Sequence, residues 1–146
     1  MKDKKYPKVG VGVMIQNEQG QVLLGLRQGS HGAGEWSFPG GHLDFGETIF
    51  NCAQRETKEE TGLDIDDFEL ISVADEMRYL KSDGKHYLNI GIKAIYQGGD
   101  PKIMESDKCL EWKWFNLENL PDKLFQGTEL TLKNYSSQKI YNPKAC

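Results

Sequence analysis

The chain has 146 residues, of which 38% are apolar and 27% charged, with a formal net charge of −4 and a pI near 5.4. That is enough for one domain with a real core, and it is neither a disordered nor a fibrous composition. An acidic balance excludes a long duplex nucleic acid, which needs a basic face, but it admits a small polyanion held through a divalent cation.

In chain order, the first eight residues are basic and polar and lead into no apolar leader segment. Residues 9–16 alternate, with Val9, Val11, Val13 and Ile15 on one side, as in a half-buried strand. Asn17-Glu18-Gln19-Gly20 is a turn, and residues 21–27 are the second strand of a hairpin. Residues 28–34 are a Gly- and Ser-rich loop, and 36–38 form a short strand stopped by Pro39-Gly40-Gly41. Residues 47–61 hold no Gly or Pro and read as a helix, with Gly62 as its C-terminal cap. Residues 68–80 and 86–96 are two long strands joined by a hairpin turn at Ser82-Asp83-Gly84-Lys85. A polar loop over 97–108 precedes a strand at 111–115, whose Trp112 and Trp114 suit a core or a subunit interface. Residues 130–135 belong to a final helix, and 136–146 are a tail. The expected class is α/β (α+β), in a single domain over 1–146 with its core at about 8–135.

No apolar run approaches the roughly 18–20 residues of a membrane span. Cys52, Cys109 and Cys146 make neither a CxxC pair nor a zinc spacing and read as free thiols of a reducing compartment. The expected location is cytoplasmic, with no membrane partner.

The chemistry concentrates in the central helix. At about 100° per residue, Glu56 and Glu60 share a face and Glu59 lies beside them, while Ile49, Ala53 and Thr57 form a neighbouring stripe for the core. Carboxylates this close raise one another's pKa, and a hard divalent cation such as Mg²⁺ removes that cost while bridging to phosphates. Arg55 is placed to pair with Glu59 or with Glu47. A run of glutamates alone is more often a solvated helix face. The wider spacing is what changes the reading.

Gly41…Glu47…Arg55-Glu56-x-x-Glu59-Glu60-x-Gly62-Leu63 resembles the Nudix box. One slot departs, with Thr57 where Ile, Leu or Val is usual. Gly10-Val-Gly-Val, Leu24-Gly-x-Arg27, Trp36-Ser-Phe-Pro-Gly-Gly-His42 and Trp112-x-Trp114 through Asn119-Leu120-Pro121 look like the MutT-like branch. Within it they are most similar to the nucleoside triphosphate hydrolases that include the thiopurine nucleotide and plant cytosolic Nudix enzymes. The likeness covers residues 9–132. It implies a mixed β-sheet sandwiched between helices, with the box as loop–helix–loop, and a homodimer.

The resemblance also implies roles. Glu56 and Glu60 are the principal ligands of Mg²⁺ (or Mn²⁺), Glu59 a further one, and the Gly41 carbonyl another. Glu47 supports them from behind. Glu105, from the loop before the aromatic strand, is the best match for another glutamate, with Glu111 as the alternative. Glu56 or Glu105 is the base that takes the proton of the attacking water. Arg27 and His42 contact phosphate; by position alone Arg27 reads equally as a surface arginine and His42 as a loop cap. Ser37, Phe38, Phe125 and Gly127 line a nucleobase pocket, against the ordinary reading of a Phe as core. Ser37 and Gln126 are not the bulkier residues expected there. His31 reads as solvated, and His86 as either.

The implied substrate is a nucleoside or deoxynucleoside triphosphate, oxidised purines such as 8-oxo-dGTP included, cut to monophosphate and pyrophosphate. ADP-ribose-type members carry a proline about sixteen residues past the box, whereas none occurs here between Pro39 and Pro101. A prenyl diphosphate is a further enzymatic reading, and a non-catalytic nucleotide-binding domain is a different class that usually lacks some of the box glutamates.

Overall fold

Strand β1 (Lys8–Gln16) lies at the centre of the sheet in the computed structural model, which describes residues 5–29 and 31–143. Cys146 and the first residues of the basic stretch lie outside the described residues. β1 pairs along its whole length, in parallel, with β6 (Tyr87–Tyr96). It also meets β2 (Val22–Arg27) through the expected turn, with Gln16 opposite Val22. With β3 (Trp36–Ser37) and β5 (Ile65–Glu76) the order is β3-β2-β1-β6-β5; β4 (Gly40–His42) adds to β1 and β7 (Cys109–Phe115) to β2, giving a seven-stranded mixed sheet. A parallel pair needs a crossover, usually carrying a helix. Here the crossover carries α1 (Ile49–Thr61).

Each face of the sheet buries its own cluster. Val11, Val13, Ile15, Leu23, Ile90, Ile92 and Ala94 meet Cys52 and Ala53 of α1. Met14, Val22, Leu24, Phe38 and Ile71 lie on the other face, beneath Leu132 and Tyr135 of α3 (Gln126–Ser137). The sheet is thus sandwiched between helices, as the resemblance implied. Trp112 and Trp114 pack against the α1-side cluster, so the core accounts for them.

The structure corrects several boundaries. β1 is covered on both faces, with Met14 fully buried; the alternation reflected small residues, not solvent. Gly40 and Gly41 do not stop a strand but form one, with Gly12 opposite Gly40 and Val11 opposite Gly41. A Cβ at Gly40 would strike the Val11 carbonyl, so this close approach requires glycine. The helix starts at Ile49, not at Glu47, because Thr48 caps it by accepting from the Asn51 N–H at 3.2 Å. Gly62 caps its other end in the left-handed region, at φ 75°. The supposed hairpin turn is a short helix, α2 (Leu80–Asp83), closed by Gly84 at φ 64°. β5 begins earlier than expected, at Ile65, through two register shifts. β7 begins at Cys109 and α3 at Gln126.

Thr57 is fully buried, and its hydroxyl has no hydrogen-bond partner among the described residues. Its methyl fills the slot where the Nudix box carries an aliphatic residue. Thr57→Val should therefore raise stability by about 1–2 kcal/mol, read as a higher denaturant midpoint with unchanged slope. No helix of the described residues is long and apolar enough to cross a membrane.

Candidate active site

One arginine organises α1. Arg55 grips Glu47 in a fork, Nε to Oε2 at 2.6 Å and Nη2 to Oε1 at 3.0 Å. Its Nη1 donates to Glu56 at 2.9 Å and Glu59 at 3.2 Å, and Nη2 to the His42 carbonyl at 3.1 Å. Both pairings expected from spacing thus occur together. The guanidinium holds the Glu47 carboxyl down at about 2, and its partners raise Arg55 in turn. Arg55 ties the loop before α1 to the acidic face of the helix.

That face borders an outer recess lined by Glu56, Glu60, Glu105, Arg27, Lys85 and Lys108. Glu60 accepts from the Gly40 N–H at 3.0 Å. Burial, outweighing that hydrogen bond, pushes its carboxyl up to about 8, with Glu56 and Glu105 adding repulsion. Burial also raises Glu56, against the pull of Arg55. A Cβ on Gly41 would collide with the Glu56 carboxyl, so backbone and carboxylate meet here at a distance only glycine allows. Glu105 is more exposed and pairs with Lys108 at 3.5 Å. Glu59 is 53% exposed and does not line this recess.

The donor set suits a hard cation. Two buried, mutually repelling carboxylates gain most from one, and they are oxygen ligands. Among the described residues no three Asp, Glu, His or Cys side chains form a ready-made cage. Mg²⁺ takes oxygen ligands and shares its shell with water and substrate phosphate.

A second, inner recess opens beside the first and shares Arg27, His31, Gly40, Gly41, His42 and Tyr87 with it. Gly10 and Gly12, the small residues of β1, lie on its floor, with Ser37, Phe38, Phe125, Gly127 and Thr128 around it. Arg27 is half-buried: its guanidinium lies 4.0 Å from the centre of the Phe125 ring, and it donates to the His31 carbonyl at 3.1 Å and to the Ser37 hydroxyl at 3.3 Å. His42 stacks on Tyr87 and shares a 2.8 Å hydrogen bond with its hydroxyl.

The structure therefore gathers Arg27, Ser37, Phe38, His42, Phe125 and Gly127 around one recess and Gly41, Glu56, Glu60 and Glu105 around the other. Glu59 stays on the outer edge. Glu111, the alternative to Glu105, lies on β7 and lines neither recess. Gln126 turns away, its amide oxygen accepting the Arg78 N–H at 2.6 Å. His31 is not solvated: its side chain is 13% exposed, packs on Tyr79 and Phe125, and meets Asp83 at 3.2 Å. Its pKa is lowered, chiefly by burial. His86 lies just before β6 and lines neither recess.

Sequence reasoning missed Glu76 and Asn89. Each sits at a buried position of its strand, Glu76 in alternation with Ser72 and Ala74 and Asn89 in the largely apolar β6, and that alternation was the available signal. Glu76 is 2% exposed, and burial pushes its carboxyl up to about 7 against the attraction of Arg27. The folded chain holds this proton more tightly than the unfolded chain does. Stability from Glu76 is therefore fully present below pH 4.5, its ordinary value, and is lost as pH rises to about 7, by on the order of 3 kcal/mol. Glu76→Gln should flatten that part of the stability profile, measured by denaturant melts from pH 4 to 8.

Comparisons with known proteins bear on the whole domain. The family model described as the NUDIX domain matches residues 6–135. An oxidized purine nucleoside triphosphate hydrolase of Danio rerio is 32% identical over 71% of this chain and 64% of its own length. An NAD-capped RNA hydrolase of Stutzerimonas stutzeri is 29% identical over 80% of this chain, but over only 40% of its own length. The chain thus spans less than two thirds of both relatives. Among solved structures, a MutT NUDIX hydrolase from Burkholderia pseudomallei superposes with a TM-score of 0.82 at 31% identity, covering 89% of this chain and 98% of that one.

Proposed function

The chain belongs to the NUDIX domain family, and on that premise we propose that it hydrolyses nucleoside and deoxynucleoside triphosphates, oxidised purines among them, to the monophosphate and pyrophosphate. The observation that carries this is contiguity. An acidic recess suited to a cation opens into a recess walled by Phe38 and Phe125, and Arg27 and His42 stand between them. A base in the inner recess would leave its phosphates over the glutamates. The name of the Danio rerio relative supports the same substrate class.

Glu56 and Glu60 would hold a divalent cation, Mg²⁺ or Mn²⁺, with the Gly41 carbonyl, Glu105 and, at the rim, Glu59 as further oxygens. When bound, the ion polarises the phosphoryl oxygens and lowers the pKa of water. The chain's own groups do the rest. Arg55 fixes Glu56, and the Gly40 N–H fixes Glu60. Arg27, Lys85 and Lys108, which line the same recess, neutralise the polyphosphate. Glu56 or Glu105 accepts the proton of the attacking water. Phe38 and Phe125 wall the base, which Ser37 and Gly127 border.

The test is a substrate panel of canonical and oxidised triphosphates, ADP-ribose, dinucleoside polyphosphates, capped RNA and prenyl diphosphates, with products identified and ¹⁸O-water locating the attacked phosphorus. Preferred turnover of a triphosphate, releasing pyrophosphate, supports the proposal. Turnover confined to another diphosphate class overturns it, and no turnover on the whole panel would point to a binding domain.

A further inference from the structure

The inner recess ends on a carboxyl group that no part of the hydrolytic chemistry uses. Glu76 is the last residue of β5; it lines the recess and is 2% exposed. Its Oε1 has no hydrogen-bond partner among the described residues. Its Oε2 accepts from Asn89 Nδ2 at 3.5 Å, and Asn89 Oδ1 accepts from the Thr131 hydroxyl at 3.4 Å. An ionised carboxylate only accepts hydrogen bonds, so Asn89 turns its donor, not its acceptor, toward Glu76. Gly127 closes the arrangement, since a Cβ there would strike the Asn89 amide.

A buried acid usually has an ion-pair partner. Arg27 is near enough to attract Glu76, but the hydrogen bonds it makes go to His31 and Ser37 and none goes to Glu76. A buried polar atom left unbonded costs the fold free energy. The carboxyl borders the recess, so a small turn of the side chain toward a donor bound there recovers that cost.

We propose that Glu76 reads the nucleobase, its unpartnered oxygen and the adjacent one accepting the N1–H and 2-amino hydrogens of a guanine-type ring, so that guanine nucleotides are selected over adenine nucleotides. The inference rests on the nucleotide reading of this recess. An ionised carboxylate only accepts hydrogen bonds. Guanine presents two adjacent donors on that edge, and hypoxanthine one. Adenine presents the N1 lone pair, which would face the carboxylate lone pairs. Burial pushes the free carboxyl up to about 7, and donors from a base favour its ionised form. An 8-oxidised guanine keeps the same N1–H and 2-amino edge, so Glu76 selects guanine whether or not the ring is oxidised.

The experiment is calorimetric titration of the full chain, at pH 8.5, with the monophosphates GMP, IMP and AMP, which are not hydrolysed by the proposed reaction. The expected affinity falls from GMP to IMP to AMP, by about tenfold or more for each lost donor. In Glu76→Gln the side chain presents one acceptor and one donor, which matches adenine's amino group and N1. GMP should weaken about tenfold, and AMP should draw level or lead. A thermal melt checks that the variant folds; if it does not, the wild-type comparison of GMP with IMP decides alone. Equal affinities in the wild type, or an unchanged order in a folded variant, overturns the role of Glu76 and leaves the nucleotide reading standing. No binding of any monophosphate overturns both.

Discussion

Glu60→Gln should lower turnover by at least about 100-fold while leaving the fold intact. The substitution is nearly isosteric and keeps an oxygen for the Gly40 N–H, which Glu60 accepts at 3.0 Å. What it removes is a charge, and with it a ligand for the cation. The stability effect has the opposite sign. Burial and the neighbouring glutamates push the Glu60 carboxyl up to about 8 in the metal-free chain. The folded state then holds the proton more tightly than the unfolded state, and stability drains away as pH rises from the ordinary carboxyl value through about 8. Gln carries no such cost, so metal-free Glu60→Gln should melt above the wild type at pH 9. Near wild-type turnover by the variant would remove Glu60 from the ligand set. Lost turnover with a lowered melting temperature would indicate simple misfolding.

Chelation should abolish activity altogether, and Mg²⁺ or Mn²⁺ should restore it. EDTA leaves Arg55, Arg27 and the lysines of the outer recess in place, so whatever turnover survives measures what the side chains accomplish unaided. A ligand that binds only the folded state also stabilises it by mass action. Added Mg²⁺ should raise the melting temperature of the wild type at pH 8 and do so far less in Glu60→Gln. Full activity in excess chelator would sink the metal-dependent mechanism.

The acidic helix and its C-terminal cap were legible because their signals are local. Spacing put Glu56 and Glu60 on one face, and Gly62 marked the end. Arg55 was seen in advance for the same reason, with Glu59 one turn away. The β4 strand was not legible, because Gly-Gly reads as a breaker until Val11 is known to lie against it. Nor was the short helix at Leu80–Asp83, whose Ser-Asp-Gly-Lys sequence is also good turn chemistry. His31 went wrong for a related reason. Its neighbours Tyr79, Asp83 and Phe125 come from distant parts of the chain. Glu76 and Asn89 needed the parallel β1–β6 register and the approach of α3 before their strand positions pointed into a cavity. Resemblance carried what periodicity could not: it named Phe125 and Gly127 when neither stood out in the pattern.

The two recesses draw on different parts of the chain. Glu56 and Glu60 come from α1, with Glu105 from a loop, whereas Glu76, Asn89, Phe125, Gly127 and Thr128 come from β5, β6 and the start of α3. Arg27, His31, Gly40, Gly41, His42 and Tyr87 border both. Heritable change outside that shared border can therefore alter the lining of one and leave the lining of the other as it was. A duplicated copy of this gene could reshape the inner recess through a few substitutions at the ends of two strands and one helix, and it would inherit the acidic recess unchanged.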